Sequence, residues 1–261
     1  MMDPTAKRLR AEILKVSHSS GHGHIPTCFS VIECLLAVYR TMRHDPKRPD
    51  WPERDRFVLS KGHAALGYYA VLAEMGYFPM ADIAGFGAYD SRFGCHADRT
   101  KLPGIEASTG SLGHGIGIAV GMALGEKIAG RATRVFTLIG DGESNEGTVW
   151  EAIQVAVNSG LDNLTVLYDH NKSQGRCLPI GNPGERFSAF GCQVTTVNGH
   201  DGNALMTTLA APQSGPRVIV ADTVKGWGCK TLVDNTYEWH RRSPDAAQLT
   251  QLLEELDAPA V

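Results

Sequence analysis

Asp141 stands between two glycines in Gly140-Asp141-Gly142-Glu143-Ser144-Asn145-Glu146-Gly147, and Asn171 follows in Tyr168-Asp169-His170-Asn171-Lys172-Ser173. A carboxylate and an amide oxygen are hard donors of the kind magnesium takes. Magnesium uses only one or two protein groups, while phosphate oxygens and water complete its octahedron. With a backbone carbonyl near Ser173, Asp141 and Asn171 meet that demand. Glycines at 140 and 142 let the chain turn tightly and approach a phosphate, and a helix start just beyond offers free N–H groups and a positive dipole end. The group suits a magnesium ion and a diphosphate.

The elements that must position these residues are legible around them. Val135-Phe136-Thr137-Leu138-Ile139 is a continuous apolar run that stops at Gly-Asp-Gly, as expected of a strand covered on both faces. From about Asn145 the spacing of Val149, Ile153, Ala156 and Val157 predicts a helix ending near Gly160. Leu164-Thr165-Val166-Leu167-Tyr168 is a second buried strand, so Asp141 and Asn171 fall at the carboxyl ends of parallel strands, the edge where open α/β sheets bind ligands.

Along the rest of the chain, Asp3-Pro4 caps a first helix and Thr27 a second, each with a core-facing stripe. A surface connection over 43–56 precedes the strand Phe57-Val58-Leu59, and a helix follows from Ala64 to Met75. The glycine- and aromatic-rich stretch 79–104 reads as short helices and loops over the site. Gly113, Gly117, Gly121 and Gly125 recur every fourth residue of a helical segment, which points to close packing within the domain or to a subunit interface. Cys192–Val197 and Arg217–Asp222 are further strands, with a helix near Leu205 between them and a terminal helix over Asp245–Leu256. The alternation is α/β throughout, a mostly parallel β-sheet with helices on both faces, and 1–261 reads as a single domain.

Composition narrows the classes. A net charge of −3 without a basic cluster argues against nucleic acid as the main partner. The six cysteines form no C-x-x-C pair, and the start Met-Met-Asp-Pro-Thr-Ala-Lys-Arg has no apolar signal core, so a reduced, cytoplasmic protein is expected. No apolar stretch reaches the roughly 18–20 residues that span a bilayer, so no membrane insertion is expected.

Gly-Asp-Gly, Asn-Glu-Gly and the later Asn resemble the thiamin diphosphate motif, and the flanking sequence resembles transketolase. The matches run along nearly the whole chain: Ser20-Gly21-His22, Leu59-Ser60-Lys61-Gly62-His63, Gly94-Cys95-His96, Thr109-Gly110-Ser111-Leu112-Gly113, Gly115-Ile116-Gly117 with Val120-Gly121-Met122-Ala123, the 140–173 segment, Asn198-Gly199-His200-Asp201, and Lys225-Gly226 with Trp239-His240.

The resemblance implies a thiamin diphosphate-binding fold with Mg2+ on Asp141, Asn171 and Ser173. It implies diphosphate contacts from His63 and His240, further cofactor contacts from Gly110, Leu112, Gly140 and Gly142, and sugar contacts from His22 and His96, with His240 also moving a proton. Imidazole suits such work because its pKa lies near neutrality. Glu146 either favours the helix dipole or, by the resemblance, sits between two active sites. His18, His24, His44, His170 and His200 read as structural or surface groups, and His114 has no assignment. The spacing of His18, His22 and His24 gives little support to a zinc site. Arg176, Arg241 and Arg242 either grip an acidic substrate or are simply solvated.

Transketolases are more than twice as long as this chain and carry a pyrimidine-binding domain and a C-terminal domain after the diphosphate-binding one. The resemblance is therefore to the N-terminal subunit of a split transketolase. It implies a partner chain, the C-terminal transketolase subunit, in an α2β2 assembly, and sugar or sugar-phosphate substrates between which a two-carbon ketol unit passes. Alternative readings are a specialised biosynthetic transketolase-like enzyme, a deoxyxylulose-phosphate-synthase-like ligase, the α-subunit of a 2-oxo acid dehydrogenase, or a non-catalytic cofactor-binding partner.

Overall fold

Every residue of Val135–Gly140 is buried, which requires cover on both faces of the strand. The computed structural model of the chain describes residues 2–176 and 178–258. Its strands are β1 (Arg56–Leu59), β2 (Val135–Gly140), β3 (Leu164–His170), β4 (Gln193–Asn198) and β5 (Arg217–Asp222), in the order β1-β2-β3-β5-β4 and all parallel. Leu59 pairs with Leu138, Gly140 with Asp169 and His170 with Asp222, so the carboxyl ends of four neighbouring strands stop close to one line.

The helices are α1 (Pro4–Ser20), α2 (Ile25–Thr41), α3 (Ala65–Glu74), α4 (His114–Ile128), α5 (Gly147–Asn158), α6 (Pro183–Ala189), α7 (Gly202–Ala210), α8 (Lys230–Asp234) and α9 (Ala246–Asp257). Side chains alternate across the strands. Phe57, Leu59, Phe136, Leu138 and Leu167 join a core with residues of α1–α3, α7 and α9, whereas Val58, Val135, Ile139, Val166 and Tyr168 join a second core with α4–α6. Each fully buried Leu, Ile or Phe in these layers contributes about 1.5–3 kcal/mol. Among the described residues no helix is long and apolar enough to cross a membrane.

Caps and turns follow the sequence in most places. Asp3 Oδ1 accepts from the Thr5 N–H at 2.7 Å with Pro4 at the first helical position, and the expected 64–75 helix agrees with α3 to within a residue at each end. Two starts differ. The second helix begins at Ile25, not at a Thr27 cap, because Pro26 is already shaped for a first turn. The turn after Asp141 is 3-10 over Gly142–Asn145, and α5 starts only at Gly147. Of the cysteines, Cys177 lies outside the described residues, and Cys28, Cys34, Cys95, Cys192 and Cys229 are free thiols.

The glycine series on α4 corrects one half of its reading. Gly113, at φ 80° before the first turn, is tightly packed, and a Cβ there would overlap Thr148 Oγ1 and Glu146 Cβ. Gly117, Gly121 and Gly125 are exposed, and a Cβ on any of them meets nothing within 4 Å. This stripe is therefore not packed inside the described chain. Gly121→Ala is expected to stabilise the isolated chain by about 0.5–1 kcal/mol, since alanine restricts the unfolded state and fits a helix better, whereas Gly113→Ala destabilises it. Urea midpoints of the two variants against the parent measure both signs, and a destabilised Gly121→Ala would refute the open face.

Candidate active site

Short turns at the ends of β1, β2, β3 and β5 enclose a cavity of about 390 Å³, closed at the side by the start of α2 and the turn before Arg241. The β1 and β2 ends are tied together by Glu143. Its Oε1 accepts from Ser60 Oγ at 2.5 Å and the Gly113 N–H at 2.9 Å, and its Oε2 accepts from the Gly140 N–H at 3.0 Å. Burial pushes its carboxyl above the usual range, and these donors oppose the shift. Gly62 is required here for space, since a Cβ would stand 2.8 Å from the Gly110 nitrogen.

Asp141, buried at the end of β2, accepts from Ser173 Oγ at 2.9 Å on Oδ1 and from the Gln174 N–H at 3.1 Å on Oδ2. Asn171 Oδ1 accepts from the Ser173 N–H at 3.1 Å, while its Nδ2 donates to Asp169 Oδ2 at 2.7 Å. A carboxylate accepts only, so Asp169 fixes the amide with its oxygen toward Ser173. Ser173 therefore joins the two predicted oxygen donors. The chain reaches this position through Lys172 at φ 63°, a left-handed conformation that costs a lysine on the order of 1 kcal/mol.

Asp169 is fully buried and accepts from Lys61 Nζ, Ser30 Oγ, Thr223 Oγ1 and the Asn171 amide. Burial alone would raise its pKa, but the Lys61 ammonium and the hydroxyl donors outweigh it and hold the carboxyl below its usual range. Lys225 faces the same cavity with Nζ 3.2 Å from His240 Nδ1. Burial, with the Lys61 charge nearby, brings its ammonium down to about 8. A protonated amine can only donate, so His240 carries its own proton on Nε2.

His24, His63 and His240 form a triangle of rings, with centroids 5.3 Å apart for His24 with each of the others and 6.0 Å for His63 with His240. His63 Nε2 lies 3.4 Å from Thr27 Oγ1. Burial first, then neighbouring Lys61, brings His63 down to about 2; burial with His240, and burial with Lys225, bring His24 and His240 to about 4. All three are neutral at pH 7. As pH falls below the unfolded value of about 6.5, the unfolded chain takes up protons that the folded chain refuses, so stability contributed at neutral pH is lost toward pH 4. In urea titrations at pH 7.5, 6 and 5, His24→Asn is expected to lose less stability on acidification than the parent. An identical pH slope would refute this neutral cluster.

Of the residues predicted from the sequence, His63, His96, His240, Gly110, Leu112, Gly140, Asp141, Gly142, Asn171 and Ser173 all line this cavity. His22 and Glu146 do not. His22 is exposed beside Gly87, and Glu146 is exposed beside Gly113. His24, read as structural or surface, lines the cavity instead, two residues further along at the start of α2. Lys61, Thr27, Glu143 and Lys225 also line it, with Asp169 behind Lys61, and none had an assigned role. Asp169 was traceable in principle, since it shares the Asn171 side of an extended chain at a spacing of two.

Arg241 reaches the cavity, while Arg242 pairs with Glu238 and covers the Trp239 ring. His18 contacts the Pro244 carbonyl, His44 that of Tyr39, and His114 is exposed against Ser111 and the Leu112 carbonyl. Among the described residues no group of three or more His, Cys, Asp or Glu is placed to hold a metal ion. The hard-oxygen pair of Asp141 and Asn171, the cationic Lys61 and Lys225, and open space beside Gly142 fit a metal-borne diphosphate.

The comparisons agree with this geometry. Residues 4–256 match the family described as transketolase, thiamine diphosphate binding domain, and the chain belongs to that family. It is similar over its length to an apulose-4-phosphate transketolase subunit of Actinobacillus succinogenes, with 36% identity covering 98% of this chain and 95% of the relative. A 6-deoxy-6-sulfo-D-fructose transketolase subunit of Clostridium sp. is 38% identical over 80% of this chain and 79% of its own. Transketolase from Leishmania mexicana superposes with a TM-score of 0.89 at 28% identity, covering 98% of this chain, which spans 42% of that longer one.

Proposed function

We propose that this chain is the diphosphate-holding subunit of a two-chain transketolase, which with a partner carrying the pyrimidine-binding and C-terminal domains passes a two-carbon ketol unit from a ketose to an aldose. The observation that carries the reading is the convergence of Asp141, Ser173 and Asn171 on one cavity with Lys61, Lys225 and neutral His24, His63 and His240. Thiamin diphosphate, when bound, supplies the nucleophilic carbon and the electron sink for C–C cleavage.

The chain's own residues hold and orient. Asp141, Asn171 and the Ser173 carbonyl would hold Mg2+, Lys225 and His240 would face the diphosphate, and His96, exposed at the rim, would meet the incoming sugar. Neutral imidazoles donate without adding charge, and His240 Nε2–H is the proton offered to the cavity. The two similar subunits are named for apulose 4-phosphate and 6-deoxy-6-sulfo-D-fructose, both ketoses with an anionic group. This supports a ketose with an anionic tail as donor. The proposed assembly is α2β2 and cytoplasmic.

Capture of the chain from its native lysate with magnesium and thiamin diphosphate, followed by mass spectrometry and a ketol-transfer assay, tests the reading. Recovery of a near-equimolar pyrimidine-binding chain and transfer only by the pair are expected. Turnover by this chain alone, or preference for a 2-oxo acid donor, would overturn it.

A further inference from the structure

His200, at the end of edge strand β4, lies outside the cavity, yet its ring is almost fully enclosed. It stacks on Trp227 with centroids 4.5 Å apart and planes 14° from parallel. The Val224 N–H donates to its Nε2 at 2.9 Å, and Nδ1 lies 3.2 Å from Glu33 Oε2. A backbone N–H only donates, so Nε2 presents its lone pair and the ring proton sits on Nδ1, directed at Glu33. Glu33 is itself gripped by the buried Arg10 guanidinium at 2.6 and 2.7 Å, and Arg10 also donates to the Phe29 carbonyl at 2.6 Å. Arg10 thus fixes Glu33, Glu33 fixes one imidazole tautomer, and that tautomer has one free acceptor.

What the acceptor holds is the turn that follows β5. Thr223 Oγ1 donates to Asp169, Val224 N–H to His200, and Gly226 N–H to the Pro26 carbonyl at 3.0 Å. Lys225 lies between these three attachments, with its ammonium in the cavity beside His240. Val224 is the attachment next to Lys225 on its amino side, and the residue is 37% exposed, so it is restrained less by packing than by hydrogen bonds, its N–H to His200 and its carbonyl from the Trp227 N–H at 3.1 Å.

We propose that His200 is a positioning residue that, in its Nδ1–H tautomer, holds the 223–226 turn so that Lys225 presents its ammonium to the diphosphate. The proposal rests on the function proposed above. A merely structural His200 would stabilise the fold through Glu33 and Trp227 and leave the Lys225 environment unchanged when replaced.

Two variants separate these roles. An asparagine amide reaches the place of Nδ1 and keeps the donor to Glu33, but offers nothing to Val224. A glutamine amide reaches the place of Nε2 and keeps an acceptor for Val224, but leaves Glu33 without its donor. Both are measured for melting temperature, for acetylation rate at Lys225 by mass spectrometry at pH 7.5, and for thiamin diphosphate affinity by calorimetry with magnesium in the assembled complex. His200→Asn is expected to make Lys225 react several-fold faster and to weaken cofactor binding about tenfold, as loss of one restraining hydrogen bond predicts. With cofactor saturating, its kcat stays within about twofold of the parent. His200→Gln restores Lys225 reactivity and affinity to within about twofold, although it melts lower. Equal effects from both variants, or the larger effect from glutamine, would overturn the proposal. If the unaltered complex bound no thiamin diphosphate, the function reading would fail, and the Lys225 acetylation rates would still decide whether His200 positions the turn.

Discussion

Asp141→Ala is expected to abolish loading of the assembled enzyme. The substitution removes the one anionic donor of the Asp141–Ser173–Asn171 group and leaves the Ser173 hydroxyl and the Gln174 N–H without their acceptor. Losing a charged ligand to a doubly charged ion is worth on the order of 3 kcal/mol, about 100-fold in affinity. The unmade bonds cost the fold about 1–3 kcal/mol. Calorimetric titration of thiamin diphosphate at fixed magnesium should therefore show at least a hundredfold weaker binding, with ketol transfer lost in the same preparation. Asp141→Asn keeps the shape and an acceptor, so it should recover most of the stability and little of the affinity. Ketol transfer undiminished in a folded Asp141→Ala complex would instead favour the reading of the chain as a structural partner.

The largest effect on stability is expected at Asp169. Its carboxylate is fully buried under four donors, one of them the equally buried Lys61 ammonium. Removing one member of a buried pair leaves the other charge unmatched and typically costs about 3–5 kcal/mol, a large share of the 5–15 kcal/mol that holds a domain together. Asp169→Ala is thus expected to shift the urea midpoint far down. The double variant Lys61→Met with Asp169→Leu should regain most of the loss, because well-packed apolar groups replace a buried pair at little cost. Cofactor affinity should stay low in the double variant, since the Asn171 amide then keeps only the Ser173 N–H and loses the carboxylate that fixes its NH2 side. A single variant within about 1 kcal/mol of the parent would show that the pair carries no such burden. Acid acts on the same group: its carboxyl lies below the usual range, so this contribution is present above the unfolded value of about 3.9 and is lost as pH falls through the lower folded one.

How far the sequence could be read depended on whether a signal was local. β2 and β3 were legible because both faces of each are covered and their apolar runs are unbroken. Asp141 and Asn171 were legible because they stand where those runs end. β4 was harder, since an edge strand with mostly exposed or half-buried residues carries no such run. The choice between His22 and His24 could not be made from spacing, because it turns on where α2 begins, and Pro26 moves that start ahead of Thr27. Glu143 had no assigned role, because its three hydrogen bonds come from Ser60, Gly113 and Gly140, two of them far away in the chain. Lys61 and Asp169 are 108 residues apart and meet only because β1 and β3 flank β2. The α4 glycines show the opposite failure: a regular pattern was visible, but only the folded chain shows that Gly117, Gly121 and Gly125 face open space.

The cavity takes walls from His24 near one end of the chain and from Arg241 near the other, with strand ends from the middle between them. No short fragment therefore contains the site, and a growing polypeptide has no binding cavity until the whole stretch from His24 to Arg241 has left the ribosome and its distant segments have met. Contacts so far apart in sequence form late and slowly. Whatever occupies the cavity recognises the finished fold and draws the folding equilibrium toward it, by about 2.7 kcal/mol at a hundred times the dissociation constant. Vitamin supply would thereby act on how much of this protein persists, as well as on how fast it works.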